Sequence, residues 1–161
     1  MTFNSTAAAG HWFPRDQYYM QLALREAALA LDHDDVPVGA MIVRDGEVLA
    51  SGHNERELRE DPTAHAEVLA IRAAAAKLGS WRVLDCVLYV TLEPCAMCAG
   101  AIVLARIPRI VFAAPDPKAG AAGSVLNVLD EPAFNHRPSC QGGLLADESA
   151  MMLRAFFAAR R

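Results

Sequence analysis

Two short clusters in the chain hold the residue types that metal-assisted hydrolysis needs, His65-Ala66-Glu67 and Pro94-Cys95-Ala96-Met97-Cys98. Cys95 and Cys98 stand i, i+3 at the expected start of a helix, so both sulfurs project to one side. The positive end of the helix dipole favours the thiolate form that a metal takes. With His65 they make three protein ligands for tetrahedral zinc, one fewer than a closed structural site holds, and a water would fill the fourth place. Glu67 then stands beside the metal as a carboxylate that takes a proton from water and passes it to a leaving nitrogen. His65 and Glu67 are two positions apart, about 200° on an ideal helix. They meet at one metal only in a first turn, where side chains spread around the helix end. The pattern therefore predicts two helix N-termini converging on one zinc.

Taken separately, the clusters leave alternatives open. A lone C-x-x-C also fits a thiol redox pair. A fourth ligand from Cys86 or Cys140 would close the metal site and make it structural. Joined, H-x-E and P-C-x-x-C form the signature of zinc nucleobase deaminases, which draw a base out of its stack before water reaches it.

Holding these residues together takes alternating strands and helices. The run from Asp16 to Asp32 reads as a helix with Asp16 as its N-cap, with Tyr19, Leu22, Ala23, Glu26 and Leu29 following one face. Residues 36–52 read as two β-rich runs joined by Arg44-Asp45-Gly46-Glu47, a hairpin signal. Asp61-Pro62 offers the next helix start, and Gly79 its stop. Residues 86–93 form an apolar run of buried-strand type. Pro94 opens a helix that ends before Pro108; residues 109–114 are another strand, 142–146 a short last one, and 148–161 a closing amphipathic helix. This alternation predicts an α/β fold, a three-layer α/β/α sandwich around one mixed sheet. Residues 1–13, small, polar and aperiodic, are expected to be a mobile N-terminal tail before a single domain over 14–161.

The chain has 161 residues, 53% of them hydrophobic and 21% charged, which excludes a disordered or fibrous chain. No apolar run reaches the roughly 18 residues of a membrane span. The first residues lack a basic region followed by an apolar one, so no secretory signal is expected and a soluble, cytoplasmic protein is the default. Cys86, Cys95, Cys98 and Cys140 are then thiols or metal ligands rather than a disulfide scaffold, and Cys86, inside a strand run, reads as a buried small hydrophobe. Fifteen Lys and Arg against nineteen Asp and Glu give a net charge of −4. No whole-protein positive field serves nucleic acid, although a local patch suffices. Thirteen of those cations are Arg, which holds phosphate bidentately.

The segments VPVGA (36–40), Asn54, DPTAHAEVLA (61–70), VTLEPCAMCAGA (90–101), DPKAGAAGS (116–124) and NHRP (135–138) resemble the bacterial tRNA-specific adenosine deaminases, of the cytidine deaminase-like superfamily. The resemblance runs from about Gln17 to the C-terminus. It implies a five-stranded sheet, one Zn2+ per chain on His65, Cys95 and Cys98, Glu67 as proton shuttle, and a homodimer. It implies conversion of adenosine to inosine at the wobble position of an arginine tRNA, with the anticodon stem-loop as partner. Asn54 would hydrogen-bond the flipped base in a pocket lined by Val36, Pro37 and Ala66. The segment 115–124, rich in Gly and Ala, would let backbone approach RNA closely while Asp116 and Lys118 supply polar contacts. His136 and Arg137 are candidate phosphate contacts, Phe156 and Phe157 candidates for stacking on a base, and Arg154, Arg160 and Arg161 a candidate basic patch. One departure is Pro115, where the family commonly carries an arginine. Competing functions are deamination of free guanine, cytosine or their nucleosides, and an RNA-binding subunit without catalysis around a structural zinc.

Overall fold

The computed structural model describes residues 12–161; residues 1–11 of the expected tail lie outside the described residues. Trp12 packs, partly buried, against the core beneath α1 (Pro14–Leu29), and Phe13 precedes that helix. Pro14 starts α1 earlier than Asp16 because its fixed φ suits a first turn. Asp16 is therefore inside the helix rather than its N-cap, and its carboxylate accepts the Phe13 N–H at 2.8 Å.

The hairpin forms as expected from β1 (Gly39–Arg44) and β2 (Glu47–His53). Asp45 and Gly46, at φ of 51° and 79°, are its two-residue turn, which needs left-handed backbone at both positions. Ile42 faces Ala50 while Val43 faces Val48, so Leu49 is an extra residue in β2, a β-bulge. After β2 comes α2 (Arg56–Arg59), a single turn with no local sequence signal. The Asp35 carboxylate holds it from a distance, accepting the N–H groups of Glu57 and Leu58 at 3.0 and 3.3 Å. α3 (Ala66–Leu78) stops at Gly79 as expected but starts at Ala66, not at Pro62. β3 (Cys86–Leu92), α4 (Ala96–Ala105) and β4 (Arg109–Ala114) follow in the expected order. The last strand, β5 (Ser139–Gly142), precedes the expected 142–146, since Gly143 (φ 107°) and Leu145 (φ 55°) leave extended geometry. α5 (Ala146–Ala158) closes the fold against β4 and β3. Among the described residues no helix is long and apolar enough to cross a membrane.

The sheet order is β2-β1-β3-β4-β5, with β1 antiparallel to both neighbours and β3, β4 and β5 parallel, so the sheet is mixed. The three inner strands, β1, β3 and β4, are covered on both faces, which is why they read as nearly continuous apolar runs, unlike the edge strands β2 and β5. Ala40, Ile42, Leu88, Val90, Ile110 and Phe112 face the core shared with α3 and α4. Met41, Val43, Tyr89, Val111 and Ala113 face Tyr19, Met20 and Ala23 of α1. Asp16, wholly buried, ties α1 to the sheet: Arg109 donates to its two oxygens at 2.9 and 2.8 Å and the Tyr89 hydroxyl at 2.6 Å. Burial works to raise the Asp16 carboxyl, but the hydrogen bonds from Arg109, Tyr89 and Phe13 outweigh it and hold the pKa below its ordinary value.

This topology places the site. β2 and β3 are each antiparallel to β1, so they run in the same direction and end at the same edge of the sheet. The chain leaves β2 toward α3 and leaves β3 directly into α4, and the two helices begin side by side there. Ligand sites in sheets of this kind lie outside the carboxyl ends of such strands.

Candidate active site

His65 is the residue immediately before α3 and Cys95 the residue immediately before α4. Glu67 and Cys98 lie in the first turns of those helices, so the two N-termini converge. His65 Nδ1 is 3.6 Å from Cys95 Sγ and 3.5 Å from Cys98 Sγ, and the three ligand atoms lie within 4.8 Å of one another. A tetrahedral zinc with Zn–S of about 2.3 Å and Zn–N of about 2.05 Å sets sulfur and nitrogen about 3.6 Å apart. The triangle has those dimensions, and its donor types are those zinc prefers. Cys86 and Cys140 belong to β3 and β5 and are not part of the group, so it has no fourth cysteine.

Glu67 is 4% exposed, and burial pushes its carboxyl up to about 7, which suits a group that takes and gives a proton near neutral pH. The neighbouring Cys98 and His65 side chains hold the Cys95 thiol down at about 3, and the proximity of Cys95 together with burial pushes the Cys98 thiol up. His65 is raised by its hydrogen bond to Cys95. The site thus gathers two thiols, a histidine ring and a buried carboxyl at one point.

Asn54, buried at the end of β2, works across the chain: its Oδ1 accepts the Ala66 N–H at 2.9 Å and its Nδ2 donates to the Val36 carbonyl at 3.1 Å. It thereby caps α3 from outside, satisfying an N–H that has no partner within the helix. Of the three expected pocket residues, Ala66 is fully buried, Pro37 is buried and only Val36 is partly exposed.

The segment following β4 lies beside Pro94 and Cys95. Ala121 N–H donates to the Pro94 carbonyl at 2.8 Å, and the Asp116 Oδ1 accepts the N–H groups of Lys118 and Ala119 at 3.0 and 3.2 Å. Pro115 and Lys118 are exposed and Asp116 is half-buried. Sequence reasoning missed Glu93, which is 2% exposed and accepts the N–H groups of Asp116, Ala122 and Ser124. Its signal was present: an acid ending an otherwise apolar strand run, directly before Pro94.

Other expected contacts lie elsewhere. His136 bonds to the Ile107 carbonyl at 2.7 Å, beyond the opposite end of β4, roughly 20 Å along the strand from the His65–Cys95–Cys98 triangle. There it lines a cleft with Arg82 and Arg106, while Arg137 pairs with Asp130 on the surface. The structure does not bring either to the triangle. Phe156 is a core residue, 6% exposed, with the Arg160 guanidinium carbon 3.5 Å from its ring centroid. Of a pair in which one ring was expected in the core, Phe156 is that core member and is not placed to stack on a base, while Phe157 is 49% exposed. Arg160 also pairs with Asp34, while Arg154 and Arg161 are exposed.

Comparison with known proteins agrees with this chemistry. A family model of MafB19-like deaminases matches residues 15–161. The tRNA-specific adenosine deaminase of Bacillus subtilis is 48% identical over 143 residues, covering 89% of each chain. A solved structure from studies of A-to-I editing by tRNA:A34 deaminases at the wobble position of transfer RNA has a TM-score of 0.82 at 46% identity, covering 84% of this chain and 99% of that one. A guanine deaminase structure from Bacillus subtilis has a TM-score of 0.62 at 35% identity, covering 89% and 92%.

Proposed function

The chain belongs to the MafB19-like deaminases and, among them, to the tRNA-specific adenosine deaminase family, and from that premise we propose that it hydrolyses adenosine to inosine and ammonia at the wobble position of an arginine tRNA anticodon. The observation that carries the reading is the buried Glu67 carboxyl beside a His65–Cys95–Cys98 triangle of zinc dimensions. One zinc per chain on that triangle supplies Lewis-acid activation of water. Glu67 takes the water proton and delivers it to the amino nitrogen, which leaves as ammonia; a carboxyl that burial raises above its ordinary range serves in both directions.

Asn54 uses one donor and one acceptor in its bonds to Val36 and Ala66. A carboxamide has a second N–H and a second lone pair, and these are available to a purine edge in a pocket bounded by Val36, Pro37 and Ala66. Asp116 and Lys118 offer an acceptor and a cation to the RNA next to the flipped base, and Phe157 a ring to a neighbouring base. His136 and Arg137, at the far end of β4, would meet phosphates distant from the reacting base. A loop nucleotide is already largely unstacked, which lowers the cost of drawing it out. The working unit is a homodimer in the cytoplasm. Supporting it, α4 has no charged side chain, and Met97, Gly100, Ala101 and Leu104 run along one outward face, Leu104 being 69% exposed.

The second reading, deamination of a free base, draws on the likeness to guanine deaminase. The experiment is inosine formation by zinc-loaded protein on an arginine tRNA anticodon stem-loop with adenosine at the wobble position, alongside guanine and cytosine. Inosine at that position alone bears out the proposal. Ammonia from guanine with an inert stem-loop overturns it, and a folded protein with one zinc per chain that deaminates nothing overturns catalysis itself.

A further inference from the structure

Glu93 is a buried carboxylate that, among the described residues, has no cationic partner. What faces it is a set of donors: the Asp116 N–H at 2.9 Å and the Ser124 hydroxyl at 2.5 Å on Oε2, and the Ala122 and Ser124 N–H groups at 3.1 and 3.0 Å on Oε1. Four donors match the four lone-pair sites of a carboxylate. All four come from the segment 116–124, which folds around the side chain. Gly120 completes the fit, since a Cβ there would stand 2.3 Å from Glu93 Oε2. The backbone of Glu93 and Pro94 joins in: Glu93 N–H donates to the Ala114 carbonyl and Pro94 accepts from Ala121, each at 2.8 Å.

We propose that Glu93 is a positioning residue for the substrate, locking the segment 116–124 to the N-terminus of α4 so that Asp116 and Lys118 are held in fixed register with Cys95 and Cys98. A buried carboxylate that loses any one donor exposes a lone pair to a dry interior, which is costly. Each of the four bonds thus favours the segment closed around Glu93. Pro117, Lys118, Ala119 and residues 123–126 are exposed, so the surface they present owes its shape to the carboxylate behind it. The proposal rests on the RNA-editing reading for what that surface meets.

The test is Glu93→Gln. A carboxamide turned with its Nε2 toward the Ser124 hydroxyl, which also accepts, leaves the Asp116 N–H facing a donor; the opposite orientation leaves two N–H groups so placed. Expected are a KM for the stem-loop raised roughly ten- to a hundredfold, the worth of a buried bond or two, with kcat and zinc per chain within about twofold of the parent. Hydrogen exchange at the Asp116 amide should quicken at least about tenfold, while Ala99 in α4 keeps its protection. Unchanged KM with unchanged exchange overturns the proposal. So does a loss of zinc or of kcat at constant KM, which would make Glu93 a support for the metal-binding helix alone. If Glu93→Gln does not fold, Ser124→Ala, which removes the hydroxyl bond alone, must raise KM a few-fold or the proposal fails. If the parent protein is inert on the stem-loop, the RNA-editing reading has failed by itself. The exchange comparison then still decides whether Glu93 holds the segment.

Discussion

Replacing Arg109 by Met tests how much of the fold rests on one buried ion pair. Asp16 receives four hydrogen bonds, two of them from the Arg109 guanidinium at 2.9 and 2.8 Å, and has no exposure to water. Methionine keeps the apolar stem and removes both charged donors. Stripping one partner from a buried pair costs about 3–5 kcal/mol, because the remaining charge stays desolvated. For a chain of this length that corresponds to a fall in Tm of about 10 °C or more. Tyr89→Phe removes one neutral donor and should cost only about 1 kcal/mol. The pH dependence gives an independent check. The folded pKa of Asp16 lies below its unfolded value of about 3.9, so its contribution is complete above that value and is lost as pH falls through the folded one. In Arg109→Met burial dominates and the carboxyl is raised, so the deficit against the parent is greatest at neutral pH and narrows toward pH 3.5. Urea unfolding of both proteins from pH 7 to 3.5 measures this. A deficit under about 1 kcal/mol at pH 7, or one of constant size across that range, refutes the reasoning.

Further outcomes follow from the site and the packing. Glu67→Gln should retain one zinc per chain by metal analysis while kcat for inosine formation falls at least about 10²- to 10⁴-fold; full activity would exclude the proton-transfer role. Gly142→Ala places a Cβ 2.1 Å from the Phe112 ring, which is itself buried, so unfolding should come at lower urea by about 1–3 kcal/mol. The proposed homodimer predicts that Leu104→Glu, on the outward face of α4, leaves the circular dichroism spectrum unchanged and turns a dimeric parent monomeric in sedimentation velocity; a parent that sediments as a monomer overturns the dimer.

The sequence disclosed what depends on short-range pattern. The apolar run Arg109–Ala114 is a strand over those same residues, and Asp45-Gly46 is the turn its residue types demand. The His65–Cys95–Cys98 triangle, which could hold a metal, was also legible, because each residue occupies a fixed place relative to a helix start. What misled were residues whose partners lie far along the chain. Asp61-Pro62 carries a local helix-start signal, yet Asp61 spends its carboxylate on Thr63 in a tight turn. The true start of α3 is capped by Asn54 from a neighbouring strand end. Asp16 resembles a cap locally, whereas its main partner is Arg109 in β4. Glu93 escaped notice because an acid at a strand end is unremarkable until the segment that wraps it is in place.

The bulge at Leu49 bears on how copies of this chain can and cannot assemble. Among the described residues β2 is an outer strand of the sheet, with no strand paired on its other side, the template from which runaway strand addition and aggregation begin. The extra residue breaks the regular spacing of that strand and increases its twist, and exposed Glu47 puts a charge at its beginning. At the other edge β5 offers only four residues before Gly143 turns the chain away. Both edges thus discourage sheet extension, and the proposed homodimer is left to form through helix faces.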